Sequence, residues 1–183
     1  MEFVILGLLM LREQTLYEIK KAFEDTISLF YSASFGSIGT AIAKLLEKEW
    51  IGLEERVQHG RNKKIYTITP AGTAAFEDWL RSHIPSEKVK EPALTRLFFM
   101  GFLPAAERIA LIEGHLAALE AIHAALTVLQ AQAEQVAFPA ERQELAAFQL
   151  LTLHYGRDYY AFSIAWFKQL LTSLKEQSND SDR

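Results

Sequence analysis

The order of elements along this chain predicts a mainly α-helical fold. We expect a winged helix-turn-helix, with three helices and a β-hairpin wing, followed by a helical C-terminal dimerisation module with two long helices. Three observations predict it. Apolar residues recur at helical intervals in three short segments before residue 50. Two β-rich runs then flank a Gly-containing polar turn near residue 60, and the chain beyond residue 93 is helical in pattern throughout.

The first two helices are predicted from apolar periodicity and from a cap. Residues 3–11 are almost continuously apolar, which predicts a short buried helix. Thr15 is the expected N-cap of the second helix, because Glu18 follows it at the spacing of a capping box. The apolar residues of this second helix lie at helical intervals: Leu16, Ile19, Phe23 and Ile27.

The third helix begins with small and hydroxyl-bearing residues. Ser34 is its expected N-cap. The buried stripe comprises Ile38, Ile42, Leu45 and Leu46, and the opposite face carries Gly36, Ser37, Thr40, Lys44 and Glu47. A slim helix start is suited to the major groove of DNA, about 12 Å wide, where hydroxyls bond to phosphates or base edges. Taken alone, the pattern fits a merely solvated face equally well.

The hairpin carries a cluster of basic residues. Residues 53–59 and 65–69 are β-rich, and the turn between them contains Arg61, Lys63 and Lys64 with no acid among them. A basic wing would contact the DNA backbone or minor groove beside the recognition helix. The alternative is a turn whose charges only keep the surface soluble. Weaker candidates for phosphate contacts lie on the second helix: Tyr17, Lys20 and Lys21.

Two prolines and mixed charge separate this region from the rest of the chain. Thr69-Pro70 starts a fourth helix, with threonine as N-cap and proline at the first helical position. Residues 83–93 then form the expected linker. We therefore expect a DNA-binding domain over residues 1–82, a helical dimerisation domain over 94–176 and a disordered tail over 177–183.

The two long helices are too apolar to stand alone. The first is expected over about residues 105–136 and the second up to about residue 175. The second is apolar over more than one face and needs several partners, so we expect a second copy of the chain to cover it. The residues expected in this dimer interface are Ile112, Leu116, Leu119, Leu126, Phe148, Phe162 and Trp166.

Charge and composition limit the classes of function. The net charge is −4, and residues 1–90 carry twelve basic and twelve acidic residues against seven and eleven in residues 91–183. Only the first half is therefore a candidate for a phosphate-facing surface. Cysteine is absent, which excludes thiolate chemistry and fits a reducing cytoplasm. The apolar runs are too short for a bilayer span and the N-terminus lacks the basic region of a signal peptide, so we expect a cytoplasmic protein without membrane contact.

No pattern in the sequence predicts catalysis, a metal site or a cofactor. The glycines form neither a hydrolase elbow nor a phosphate-binding loop. The five histidines lack the spacing of a metal site. His154 and Asp158, one turn apart, could share a metal, but a half-buried polar pair is the simpler interpretation.

The sequence resembles the PadR-like transcriptional regulators over roughly its first 80 residues. The matching motifs are Ile5-Leu-Gly-Leu-Leu9, Tyr17-Glu18, Ser34-x-Gly36-Ser37-Ile38 and Gly60-Arg61-x-Lys63-Lys64-x-Tyr66-x-Ile68-Thr69-Pro70-x-Gly72. Beyond the linker, residues 94–99 and the two long helices are similar to virulence-activator C-terminal regions. The chain departs from the family pattern at Thr15-Leu16, where His-Gly is common, and at Gly39, where tyrosine is common.

The resemblance implies a homodimeric transcriptional regulator that binds a pseudo-palindromic operator in double-stranded DNA. Repression is the commoner role in the family. Some relatives receive flat hydrophobic effectors among aromatic residues near the dimer interface, although aromatics at helical spacing are more often core. The candidates for such a pocket here are Phe98, Phe99, Tyr155, Tyr159, Phe162 and Trp166. The alternative function is a winged-helix protein–protein adaptor without DNA binding, which the near-neutral first half favours.

Overall fold

The computed structural model describes residues 1–27, 35–58, 61–86 and 91–181; the side chains of residues 26, 27, 35, 58, 61 and 178–181 are not among those described. The chain divides into two compact units, Met1–Glu87 and Lys88–Arg183. The division falls within the segment expected as a linker. The predicted fold class is confirmed: a winged helix lies in the first unit and a long helical region in the second.

The N-terminal unit combines four helices with a small sheet. Its helices are α1 (Glu2–Leu11), α2 (Leu16–Ala22, continued by a π-helical turn over Phe23–Ile27), α3 (Phe35–Glu47) and α4 (Pro70–Arg81). Its strands are β1 (Gln14–Thr15), β2 (Ile51–Gln58) and β3 (Arg61–Ile68), antiparallel in the order β1-β3-β2. We did not predict β1, because two residues are too few to show a strand period.

Threonine caps begin both α2 and α4, as predicted. The Thr15 hydroxyl accepts from the Glu18 backbone N–H at 3.3 Å, and the Glu18 carboxylate accepts from the Thr15 backbone N–H at 2.8 Å. These bonds form the capping box. The Thr15 backbone N–H and hydroxyl both donate to the Glu18 carboxylate and hold the pKa of Glu18 below its ordinary value. In α4 the Thr69 hydroxyl accepts from the Gly72 N–H at 3.1 Å and donates to the Glu49 carbonyl at 2.8 Å.

The core of the N-terminal unit joins the apolar stripes of the first three helices. The fully buried side chains are Ile5, Leu6, Ile19, Ile38 and Leu45. Gly72 is required by close packing, because a Cβ there would lie 2.0 Å from the Trp50 carbonyl oxygen. Any side chain at residue 72 would therefore push α4 away from the start of β2.

The hairpin is longer than the sequence predicted. The register of β2 and β3 runs from Ile51 opposite Ile68 to Gln58 opposite Arg61. The basic residues that we placed in a turn, Arg61, Lys63 and Lys64, thus belong to strand β3. Their polar side chains gave no period-2 alternation of apolar residues, so the strand start was hidden in the sequence.

The C-terminal unit is built on an antiparallel helix pair. It comprises α5 (Pro92–Phe99, followed by a 3-10 turn over Met100–Phe102), α6 (Ala105–Ala133) and α7 (Ala140–Ser181). The Lys175 ammonium lies 2.6 Å from Glu113, and the Lys168 ammonium lies 2.6 Å from Glu120. α7 extends to Ser181, so residues 177–181 are helical and not the disordered tail that we expected.

Four of the residues predicted in a dimer interface are buried within the single chain. They are Ile112, Leu116, Leu119 and Leu126. The first three join a core cluster with Phe167 of α7 and Met100. The chain's own helices thus cover this seam, where we expected a second copy to do so. Apolar periodicity predicts that a face is covered, but it does not distinguish an internal partner from an external one.

α6 is long and apolar enough to cross a membrane by length and composition alone. This differs from our expectation that every apolar run was too short. Within the unit, α6 buries a stripe of apolar side chains and forms ion pairs with α7.

Candidate nucleic-acid interface

Helix α3 separates its core face from its outer face as predicted. Ile38, Ile42 and Leu45 are buried in the core of the N-terminal unit. Thr40 and Lys44 are exposed on the other side, and Ser37 is half-buried. Ser34 lies outside the described residues. The helix therefore presents a hydroxyl and a cation one turn apart on its outer side.

The two glycines of α3 meet no packing constraint within the described part of the chain. A Cβ at Gly36 or at Gly39 would have no described atom within 4 Å. Internal packing thus leaves room for a side chain at both positions, in contrast to Gly72.

The wing is basic but is not free of acidic neighbours. The Lys64 ammonium lies 3.8 Å from the Glu55 carboxylate, directly across the ladder. We described these basic residues as having no acid among them, because we considered only neighbours along the chain. Lys63 lies opposite Arg56, and the backbone of Arg61 lies opposite Gln58 at the end of the hairpin.

Arg56 is a charged wing residue that we did not single out from the sequence. Its guanidinium donates to both carboxylate oxygens of Glu13, at 2.5 and 3.1 Å, and to Glu54 at 2.7 Å. The bond from Arg56 to Glu54 holds the pKa of Glu54 below its ordinary value. The local sequence shows only that Arg56 follows two acids, Glu54 and Glu55, and nothing local indicated Glu13, 43 residues away.

The candidates on α2 are three and four residues apart and so lie on one face of that helix. Tyr17 is strongly exposed, with 71% of its surface accessible, and Lys21 is exposed as well. The Lys20 ammonium lies 3.5 Å from Glu24. An acidic neighbour one turn away weakens Lys20 as a phosphate ligand, so Tyr17 and Lys21 are the better placed of the three.

The six aromatics proposed for an effector pocket remain partly or largely exposed in the single chain. They are Phe98, Phe99, Tyr155, Tyr159, Phe162 and Trp166. Phe98 and Phe99 contact each other edge to face at 4.9 Å. The Tyr159 hydroxyl donates to Glu91, and this bond raises the pKa of Tyr159 to about 12. Tyr159 is thus tied to the residue that caps α5.

Among the described residues no group of His, Asp and Glu converges as metal ligands. His154 Nε2 lies 3.4 Å from Glu134, the C-cap residue of α6, whereas Asp158 accepts from Arg157. The two residues that could have shared a metal therefore face different partners.

Two family models match the chain. The model "Transcriptional regulator PadR-like family" matches residues 5–78, and "Virulence activator alpha C-term" matches residues 89–175. The negative transcriptional regulator PadR of Bacillus subtilis is 27% identical over 182 residues, which cover 95% of this chain and 97% of that protein.

Solved structures show the same fold. The crystal structure of Bacillus subtilis PadR in complex with operator DNA has a TM-score of 0.81 at 24% identity, covering 94% of this chain and 98% of that one. The structure of the same protein with p-coumaric acid has a TM-score of 0.77 at 24% identity, covering 95% and 94%.

Proposed function

Because the chain belongs to the PadR-like family of transcriptional regulators, with a virulence-activator-type C-terminal region, we propose that it binds an operator in double-stranded DNA. In this proposal it acts in the cytoplasm as a homodimer that represses transcription from a pseudo-palindromic site. The family is one of regulators and not of enzymes.

The outer face of α3 carries the proposal. Its first two turns combine two glycines, whose Cβ positions meet no described atom within 4 Å, with an exposed threonine and, one turn later, Lys44. A helix that enters the major groove needs low bulk at its leading end and polar groups behind it. We assign Ser34, Ser37, Thr40 and Lys44 to the major groove.

The wing supports the proposal through its position and charge. β2 and β3 extend beyond the short strand β1, which pairs only with Ile65 and Tyr66. The projecting part of the hairpin contains the basic residues, and we assign Arg61, Lys63 and Lys64 to the DNA backbone or minor groove. Tyr17, Lys20 and Lys21 are assigned weaker phosphate contacts.

An uncovered stripe on α7 supports the homodimer. Large apolar side chains recur there at intervals of three and four residues: Phe148, Leu151, Tyr155, Tyr159, Phe162 and Trp166. Phe148 and Phe162 are 64% and 68% exposed. A stripe of this periodicity on a long helix is the pattern of a helix–helix interface, and a two-fold axis would bring two copies of it together.

The sign of regulation and the effector are proposed from relatives. The Bacillus subtilis relative is a negative regulator, and its solved structures include one with operator DNA and one with p-coumaric acid. We propose repression here as well, with release by a small aromatic compound. Its binding site would use the exposed aromatics of α5 and α7 named above.

A footprint on the DNA upstream of the protein's own gene tests the proposal. We expect protection of two half-sites about one helical turn apart, since each subunit of a dimer addresses one. The same titration is repeated with p-coumaric acid, and release of the protein would support the effector assignment. Absence of protection at moderate salt would contradict the DNA-binding function and favour the protein–protein adaptor.

A further inference from the structure

Arg56 connects the wing to the segment between α1 and β1. Its Nη1 and Nη2 donate to the two oxygens of Glu13, a bidentate pair, and Nη2 also donates to Glu54. Glu54 and Arg56 lie on the same face of β2. Glu13 precedes β1, the strand that pairs with the opposite edge of β3. The contact therefore joins the two flanks of the sheet.

The contact lies where the wing loses the support of a third strand. β1 pairs only with Ile65 and Tyr66, so residues 55–58 and 61–64 form a two-stranded ribbon. A hairpin of two strands is marginally stable in water without further packing. A link from Arg56 to Glu13 supplies that ribbon with an attachment outside the ladder.

The charges around Arg56 argue against a direct role in binding phosphate. One guanidinium is shared by two carboxylates, so the group carries a net charge of −1. Exposed ion pairs contribute little as a rule, but a bidentate arginine within a network of charges is the exception. By comparison, Lys64 has one acid at the longer distance of 3.8 Å.

We propose that Arg56 is a positioning residue, which with Glu13 fixes the direction of the wing and thereby the place where Lys63 and Lys64 meet the DNA. Lys63 lies opposite Arg56 in the ladder, so a change in the direction of β2 carries Lys63 with it. The inference rests on the proposed function for its consequence in DNA binding. The part that concerns the order of the wing does not depend on DNA binding.

Glu13→Gln in the full-length chain tests the proposal with two readouts. Hydrogen exchange without DNA is expected to be several-fold faster in residues 54–64 and unchanged in α6 and α7. Affinity for the footprinted DNA is expected to fall several-fold at every salt concentration, with the salt slope unchanged because no phosphate contact is lost. Loss of a negative charge alone would strengthen DNA binding. The positioning role predicts weaker binding, so the two explanations predict changes in affinity of opposite sign.

Glu2→Gln is the matched control. It removes the acid of another long-range ion pair of the same unit, Lys48 with Glu2 at 2.6 Å, and changes the net charge equally. We expect wild-type exchange in the wing. Arg56→Lys keeps the charge but not the bidentate geometry, and is expected to behave like Glu13→Gln.

Two results would overturn the positioning role. One is wild-type exchange of the wing in both Glu13→Gln and Arg56→Lys. The other is a lower salt slope in Arg56→Gln, which would identify Arg56 as a phosphate ligand. If the wild-type chain binds no DNA, the proposed function fails, whereas the exchange measurement still decides whether Arg56 orders the wing.

Discussion

The Thr40 hydroxyl donates to the carbonyl oxygen of Gly36, 2.9 Å away and one turn earlier in α3. This bond uses the only hydrogen of the hydroxyl and leaves its oxygen available as an acceptor. Phosphate oxygens are acceptors too, so Thr40 cannot bond to them without breaking this contact. The groups that it can meet in the major groove are the amino groups of adenine and cytosine.

Thr40→Val is therefore expected to reduce base discrimination more than general affinity. Valine keeps the shape of threonine and its tendency toward helix, but offers no acceptor. We expect a loss of about 0.5–1.5 kcal/mol on the cognate operator, the usual contribution of one hydrogen bond, with an unchanged salt slope. Fluorescence anisotropy on cognate and scrambled duplexes measures the loss of affinity and the salt slope. An equal loss on the two duplexes would show that Thr40 reads no base.

Gly39→Ala is expected to stabilise the protein while weakening DNA binding. No described atom would lie within 4 Å of the new Cβ, and alanine in a helix is favoured over glycine by about 0.5–1 kcal/mol. Thermal unfolding should show a higher Tm, and DNA titration a lower affinity if bases approach this face. A stabilised variant with unchanged DNA affinity would leave Gly39 outside the interface. Gly72→Ala provides the contrast, since its Cβ would clash with Trp50 and should lower the Tm.

The sequence predicted the helices and caps of the N-terminal unit because their signals are local. Thr15 with Glu18, and Thr69 with Pro70, each lie within one helical turn. The contact of Arg56 with Glu13 and that of Lys64 with Glu55 depend on strand register, which local composition does not determine. The same limit applies to the apolar seam of α6. Its helical period is visible in the local sequence, but the helix that covers it is not.

Replacing Arg61, Lys63 and Lys64 together with alanine is expected to weaken DNA binding and flatten its salt dependence. Each phosphate contact contributes about 0.9 to the slope of log K against log salt, so the slope measures how many of the three reach the backbone. Because Glu55 lies 3.8 Å from Lys64, we expect it to reduce the contribution of Lys64 to the slope.

A variant with three other exposed arginines replaced, Arg81, Arg96 and Arg142, is the control for net charge. It is expected to keep the wild-type slope within error. If both variants lower the slope equally, the effect comes from overall charge and the wing has no special role.

The capping box of α2 predicts a specific dependence of stability on pH. Its hydrogen bonds lower the pKa of Glu18 from about 4.5, so this carboxylate stabilises the folded state above that value. The contribution is lost as the pH falls through the lowered pKa of the folded protein. Glu18→Gln keeps a capping side chain but cannot titrate. Urea unfolding between neutral and acid pH should therefore show a shallower loss of stability in Glu18→Gln than in the wild type, and parallel curves would contradict this.

The exposed stripe of α7 and the buried seam of α6 should respond differently to substitution. Phe162→Ser is expected to shift the protein from dimer to monomer in sedimentation velocity with helicity preserved, because Phe162 is 68% exposed in the single chain. Leu116→Ala is expected to cost about 2–5 kcal/mol of folding free energy through a cavity inside the chain. Phe138→Ser, in the turn after α6, is the matched phenylalanine control. Should Phe162→Ser remain dimeric while Leu116→Ala dissociates without unfolding, the interface would use the α6 seam, and the chain's helix pair would have to open to form it.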